Sequence, residues 1–145
     1  MTVQNIRSFS AGRRVNSDDS AREICSAVTG DVIARAGAAA LDFVEMLDHA
    51  RHVGGPNLRA LTFHQRAKML KALAVELGKH KDRLYDISFA TGATQKDHLI
   101  DIDGGIGTMF VFASKGRREM PDAQGYLDGE VEQLSRHVTF LGQHI

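Results

Sequence analysis

Tryptophan is absent from this sequence, cysteine occurs once, at Cys25, and proline twice, at Pro56 and Pro121. A lone cysteine excludes an internal disulfide framework and any metal site assembled from several thiolates. Such sparing use suits a reducing cytosol. Charge of one sign is equally scarce, because 18 Lys and Arg balance 18 Asp and Glu and the isoelectric point is about 7.1. Without a basic excess the chain lacks the electrostatic footprint of a nucleic-acid binder or of a protein that settles on anionic lipid. Long apolar runs are missing too. The longest, residues 109–113, is far short of a bilayer span, and the opening Met1-Thr2-Val3-Gln4-Asn5-Ile6-Arg7 has no signal-peptide core. The expectation is a cytoplasmic protein with neither nucleic acid nor membrane as partner.

What is present fits a globular chain. At 145 residues and 15.9 kDa, with 43% hydrophobic and 25% charged residues, the length and composition suit one domain of ordinary size. A chain this long is expected to bury roughly two-thirds of its unfolded surface.

Residues 1–36 read as short strands and turns. Gly12 supplies a turn within Phe9-Ser10-Ala11-Gly12-Arg13-Arg14-Val15, and Thr29-Gly30-Asp31 forms a hairpin tip between Val28 and Val32, with a polar loop over residues 16–20. Residues 37–118 read as helices. Leu41, Val44 and Leu47 recur at helical spacing until Gly54-Gly55-Pro56 stops the run. Thr62-Phe63-His64-Gln65 has the pattern of a capping box, and behind it Leu70, Leu73, Ala74 and Leu77 line one face. Leu84 and Ile87 belong to a further turn or two that Gly92 ends. Thr94-Gln95-Lys96-Asp97 opens the clearest helix, where Leu99, Ile102, Ile106, Met109, Phe110 and Ala113 follow at steps of three and four until Gly116. Residues 117–129 read as a charged loop. Val138 and Phe140, alternating with His137 and Thr139, predict a strand over residues 130–145. The sequence ends inside that apolar pattern, which raises the expectation that it is a piece of a longer protein.

Residue chemistry alone yields no catalytic, cofactor-binding or metal site. Gly104-Gly105-Ile106-Gly107 invites a nucleotide-loop reading, but a dinucleotide fingerprint needs a third glycine where Phe110 stands, and a strand before it. The run therefore reads as helix. Glycines inside a helix cost roughly 1 kcal/mol each against alanine, so close approach by a neighbouring backbone is expected there, at Gly105 above all. His49 and His52 lie one turn apart, without the glutamate or third ligand of a zinc site, and read as solvated histidines near a helix end. Cys25 has no recognisable base partner and reads as a small buried cysteine rather than a nucleophile. Asp97, Asp101 and Asp103 are carboxylates that a helix N-terminus favours.

Two sets of residues carry a family resemblance. Leu58-Arg59-Ala60-Leu61-Thr62-Phe63, with Arg66-Ala67 and Leu70-Lys71-Ala72, resembles the early helices of the aldehyde dehydrogenase superfamily. Thr91-Gly92-Ala93-Thr94, Asp101-Ile102-Asp103-Gly104-Gly105-Ile106-Gly107-Thr108 and Arg118-Glu119-Met120-Pro121-Asp122 resemble more narrowly its phenylacetate-degradation branch, in which a ring-opening hydrolase is fused to the dehydrogenase. Thr29-Gly30-Asp31 is similar to the superfamily's Thr-Gly-Glu turn. Departures are the missing tryptophan after the first glycine turn, where Arg13-Arg14 stands, and Ala90 in place of an acid that helps relatives hold a structural cation. No cation site is carried over.

The resemblance implies an α/β parent of which this piece is mainly helical, with N-terminal β-hairpins and a C-terminal strand that begins the oligomerisation element of a homo-oligomer. It implies NADP-linked oxidation of a CoA-thioester semialdehyde to its acid, and opening of an oxepin-CoA ring by the fused domain. In the family a cysteine attacks the aldehyde, hydride passes to the nicotinamide, and a glutamate activates water. None of those residues matches a position here, so this stretch is expected to be inactive alone and to bind no cofactor. The alternatives are the related semialdehyde dehydrogenase of CoA-dependent benzoate degradation, which lacks the hydrolase, and a free-standing helical interaction module.

Overall fold

In the computed structural model, which describes residues 3–18 and 20–144, the chain gathers into two compact units. One comprises residues 1–55 and 80–104, the other residues 56–79 and 105–145. Met1, Thr2, Asp19 and Ile145, which fall in the expected 1–36 and 130–145 segments, lie outside the described residues.

The first unit opens with short strands, as its sequence predicts. Strands β2 (Ser8–Ser10) and β3 (Arg13–Val15) form a hairpin in which Ala11 and Gly12 both take positive φ, 47° and 80°, as a two-residue I′ turn requires. Strands β4 (Arg22–Cys25) and β5 (Val32–Ala36) pair antiparallel, and β1 (Gln4–Asn5) joins β5 in parallel, giving the order β1-β5-β4. Helix α1 (Phe43–His49) begins six residues later than the expected boundary at residue 37. Asp42 sets that start by accepting the N–H groups of Val44 and Glu45 at 3.0 Å each. The expected stop at Gly54-Gly55-Pro56 does not occur. The chain widens into a π-helical segment, Ala50–Gly54, and continues as α2 (Gly55–Arg59). Pro56 follows the π-helical turn that the Gly55 N–H closes on the Ala50 carbonyl, so its missing N–H falls where the hydrogen-bond ladder already shifts. Helix α4 (Lys81–Phe89) ends near Gly92, whose φ is 87°. The helix expected as one piece after Thr94 is α5 (Gln95–His98), a second π-helical segment (Leu99–Asp103) and α6 (Gly104–Arg118).

The second unit pairs α3 (Phe63–Gly78) with the body of α6. Thr62 caps α3 as a full capping box. The buried residues are Ala67 and Ala74 on α3 and Ile106 and Ala113 on α6, two pairs each seven residues apart and so on one face of their helix. Small side chains let the helices meet closely, and a Cβ built on Gly116 would stand 3.2 Å from that of Ala67. The expected leucine stripe is buried only at Ala74, and Leu73 is half exposed. The close approach expected at Gly105 is also not made, since nothing lies within 4 Å of a Cβ there. Beyond α6 the expected 117–129 loop is shorter and the expected single strand is a hairpin, β6 (Tyr126–Ser135) paired antiparallel with β7 (Val138–His144). Gly125 and Gly129 mark loop in the sequence, but Gly129 sits inside β6 at φ 80°, beside a register shift.

The exposed area is 10858 Å². Against the unfolded chain that is about half the surface buried, short of the expected two-thirds. The apolar stripes read from the sequence are real, but large side chains such as Val44, Val111 and Phe112 remain uncovered.

Candidate functional site

Three carboxylates expected near one helix start are given separate tasks. Asp97 accepts the Thr94 backbone N–H at 2.7 Å and its hydroxyl at 2.8 Å, and these bonds, the backbone one first, hold its carboxyl below the usual range. Asp103 accepts the Tyr85 phenol at 2.5 Å and pairs with Lys81. Asp101 is exposed. The set does not converge on one point, so it offers no acid–base pair.

Cys25 lies at the end of β4, free and exposed, which corrects the expectation that it is buried. It has no hydrogen-bonding base beside it among the described residues. The neighbouring Ser26 is the buried one. Its Oγ accepts the N–H groups of Val28 and Thr29 at 3.2 Å each, and the hairpin tip is tied to the end of α4 by the Ala27 N–H bonding the Ala90 carbonyl at 2.8 Å. A cavity of about 320 Å³ beside this tip is lined by Ser26, Thr29, Asp31, Val32, Ile33 and Ala90. Asp31 is its one carboxylate.

His52 faces Asp48 at 2.9 Å on an exposed surface, and His49 adds no third ligand. Among the described residues no group of three or more His, Cys, Asp or Glu can hold a metal ion. Gly104-Gly105-Ile106-Gly107 opens α6 directly from a helical segment, with no strand before it, so it forms no phosphate loop.

His98, the largest fully buried side chain, escaped the sequence reading. It is 2% exposed, stacks on Tyr85 (centroids 5.1 Å apart) and meets Phe89 edge-on at 4.3 Å. Neither ring nitrogen has a hydrogen-bond partner among the described residues. Lys81, Tyr85 and Phe89 stand at steps of four along α4, a spacing visible in the sequence, yet nothing local marks His98 as their partner. The phenol bonds Asp103 while its ring packs on the imidazole, so no proton relay runs through the cluster.

In the second unit Thr62, His64 and Asp122 resemble a nucleophile triad in composition but not in wiring. The Thr62 hydroxyl donates to Asp122 at 2.6 Å rather than to the imidazole, and His64 Nε2 donates to the Met120 carbonyl at 2.9 Å. Gln124 donates to the Ala60 carbonyl, Arg66 donates to the Gln124 carbonyl, and the Phe63 N–H donates to the Ala123 carbonyl. The Arg118-Glu119-Met120-Pro121-Asp122 run therefore leads into a clamp on the start of α3. Its chemistry is structural.

Comparison with known proteins supplies what this geometry does not. The profile of the aldehyde dehydrogenase family matches residues 14–139. A 3,4-dehydroadipyl-CoA semialdehyde dehydrogenase of Aromatoleum evansii is 34% identical over 118 residues, which cover 81% of this chain and 23% of the relative. The chain thus spans about a quarter of that relative's length.

Proposed function

We propose, from the premise that this chain belongs to the aldehyde dehydrogenase family, that it forms the N-terminal part of an enzyme oxidising a CoA-thioester semialdehyde to its acid. The observation that carries the substrate class is the 34% identity with a relative whose own name states a CoA semialdehyde. An unrelated helical module has no place beside a family match across residues 14–139. Gly107-Thr108 and Arg118-Glu119-Met120-Pro121-Asp122 favour the form fused to an oxepin-CoA hydrolase in phenylacetate degradation. The name of the relative, a dehydrogenase alone, favours the unfused form, such as that of CoA-dependent benzoate degradation.

In this reading NADP supplies the hydride acceptor. The glycine run is helical and follows a helical segment, so the residues of this chain offer no glycine-rich phosphate loop for it. No chemical step is assigned to them. Their part is scaffold: the hairpin tip tied to α4, and the α3–α6 pair held by its small residues. Assembly as a homo-oligomer through β6 and β7 belongs to the same reading. It is supported by the exposed Val138 and Phe140 on a hairpin whose outer edges are unpaired among the described residues. A cytoplasmic location goes with it. No helix among the described residues is long and apolar enough to cross a membrane.

The test is to follow NADPH formation with a CoA-thioester semialdehyde, using residues 1–145 and, beside them, the product of the gene read past Ile145. Oxidation by the longer product alone is the expected result. A hydratase-like domain at its far end decides for the fused form. Turnover by residues 1–145 that disappears in Cys25→Ala overturns the proposal.

A further inference from the structure

Along the seam of α3 and α6 lies a groove of about 200 Å³, lined by Lys71 from α3 and by Phe110, Ala113, Ser114 and Arg117 from α6. No carboxylate lines it. Five cations elsewhere are paired with carboxylates: Arg13 with Glu45, Arg35 with Glu23, Lys79 with Glu76, Lys81 with Asp103 and Lys115 with Glu119. The side chains of Lys71, Ser114 and Arg117 make no hydrogen bond or ion pair among the described residues. Arg117 lies in the last turn of α6, where the helix dipole alone favours a cation. That explanation does not reach Lys71, which stands in the middle of α3. Two unpaired cations and a hydroxyl line one groove whose lining holds no carboxylate, an arrangement that favours an anion.

We propose that this groove binds the phosphorylated adenosine end of the CoA-thioester substrate. The identity of the ligand rests on the substrate class proposed above; the affinity for a phosphate rests on the groove alone. Arg117 presents the planar fork that matches phosphate oxygens, Lys71 adds a mobile point charge, and the Ser114 hydroxyl is a third donor. Phe110, 38% exposed, and the buried Ala113 add an apolar part to the lining, on which an adenine base can pack. The volume is below the roughly 300–1,000 Å³ of pockets that enclose a whole drug-sized ligand. It suits one end of a long molecule whose thioester lies elsewhere.

NADP carries a phosphorylated adenosine too, so the experiment separates the two sources. Binding to the 145-residue chain is measured by calorimetry at low ionic strength with CoA, 3′-dephospho-CoA, NADP+ and inorganic phosphate. The variants are Lys71→Gln, Arg117→Gln, their double, and Arg83→Gln/Lys96→Gln as a double of equal charge loss outside the groove lining. Thermal melts establish that each is folded. The expected result is CoA binding that weakens about tenfold or more in the groove double and hardly changes in the control double. Dephospho-CoA should bind more weakly than CoA, and Phe110→Ala should weaken CoA but not inorganic phosphate. No CoA binding by the parent chain, or equal losses in the two doubles, overturns the proposal. NADP+ binding tighter than CoA with the same dependence on Lys71 and Arg117 overturns the assignment to CoA. A full-length enzyme that fails to oxidise semialdehydes while this chain still binds CoA through the groove removes only the proposed activity.

Discussion

Where residues 1–55 and 80–104 gather, the largest buried side chain is the imidazole of His98, held between two aromatic rings beside an Asp103–Lys81 pair. Where residues 56–79 and 105–145 gather, the buried residues are three alanines and an isoleucine on facing helices. The second arrangement is apolar and tight where Gly116 meets Ala67, so steric fit limits it. The first is polar and aromatic, and it leaves two ring nitrogens without partners among the described residues. One centre should therefore fail by overpacking, the other through its hydrogen bonds.

The largest expected effect is in the alanine seam. Ala74 is fully buried and a Cβ added at Gly116 would stand 3.2 Å from that of Ala67, so Ala74→Leu or Gly116→Leu should destabilise by about 1–3 kcal/mol or more. A chemical denaturation midpoint unchanged in both would show that the seam is not packed as described.

His98→Leu tests the other centre with the opposite sign. An apolar side chain of similar size removes two unsatisfied nitrogens, so stability should hold or rise by about 1 kcal/mol, whereas an imidazole that contributes through a hidden partner would make the substitution costly. Tyr85→Phe sharpens the same comparison. It removes the bond to Asp103 and should lower stability by about 1 kcal/mol while keeping the ring stacked on His98.

Smaller still is the contrast between two glycines of one helix. Gly105 has open space around its Cβ position, so Gly105→Ala should stabilise by somewhat under about 1 kcal/mol in this chain, against the loss at Gly116. A melting temperature that falls in both would put a neighbour against Gly105 as well.

The smallest effect is a pH dependence. The Asp97 carboxyl is held low by the Thr94 N–H and hydroxyl in the folded chain and returns to its ordinary value on unfolding. Its contribution is thus present above the ordinary carboxylate range and lost as pH falls through the depressed folded value. In Asp97→Asn that part of the acid limb should flatten. An acid limb identical to that of the parent would assign the dependence to other carboxylates.

Some of this was legible in residues of one short window. The Thr62–Gln65 capping box, the turn at Ala11-Gly12, the Thr29-Gly30-Asp31 tip and the helical reading of Gly104-Gly105-Ile106-Gly107 all follow from local backbone preference, and each stands where it was read. The family resemblance was likewise carried by contiguous runs. Pro56 misled because a π-helical segment carries the chain into it as helix, and the Gly129 signal hid a bulged strand.

By itself, then, the sequence determined the local elements and the family, because capping, turn chemistry and apolar period are settled between residues a few positions apart. Only tertiary structure decided which members of an apolar stripe are covered, why Ala74 is buried and Leu73 is not, and that His98 meets Tyr85 and Phe89. It alone set Lys71 beside Arg117, 46 positions on. The period of a helix gives the direction of a side chain but not what lies opposite, and both burial and the pairing of charges depend on what lies opposite.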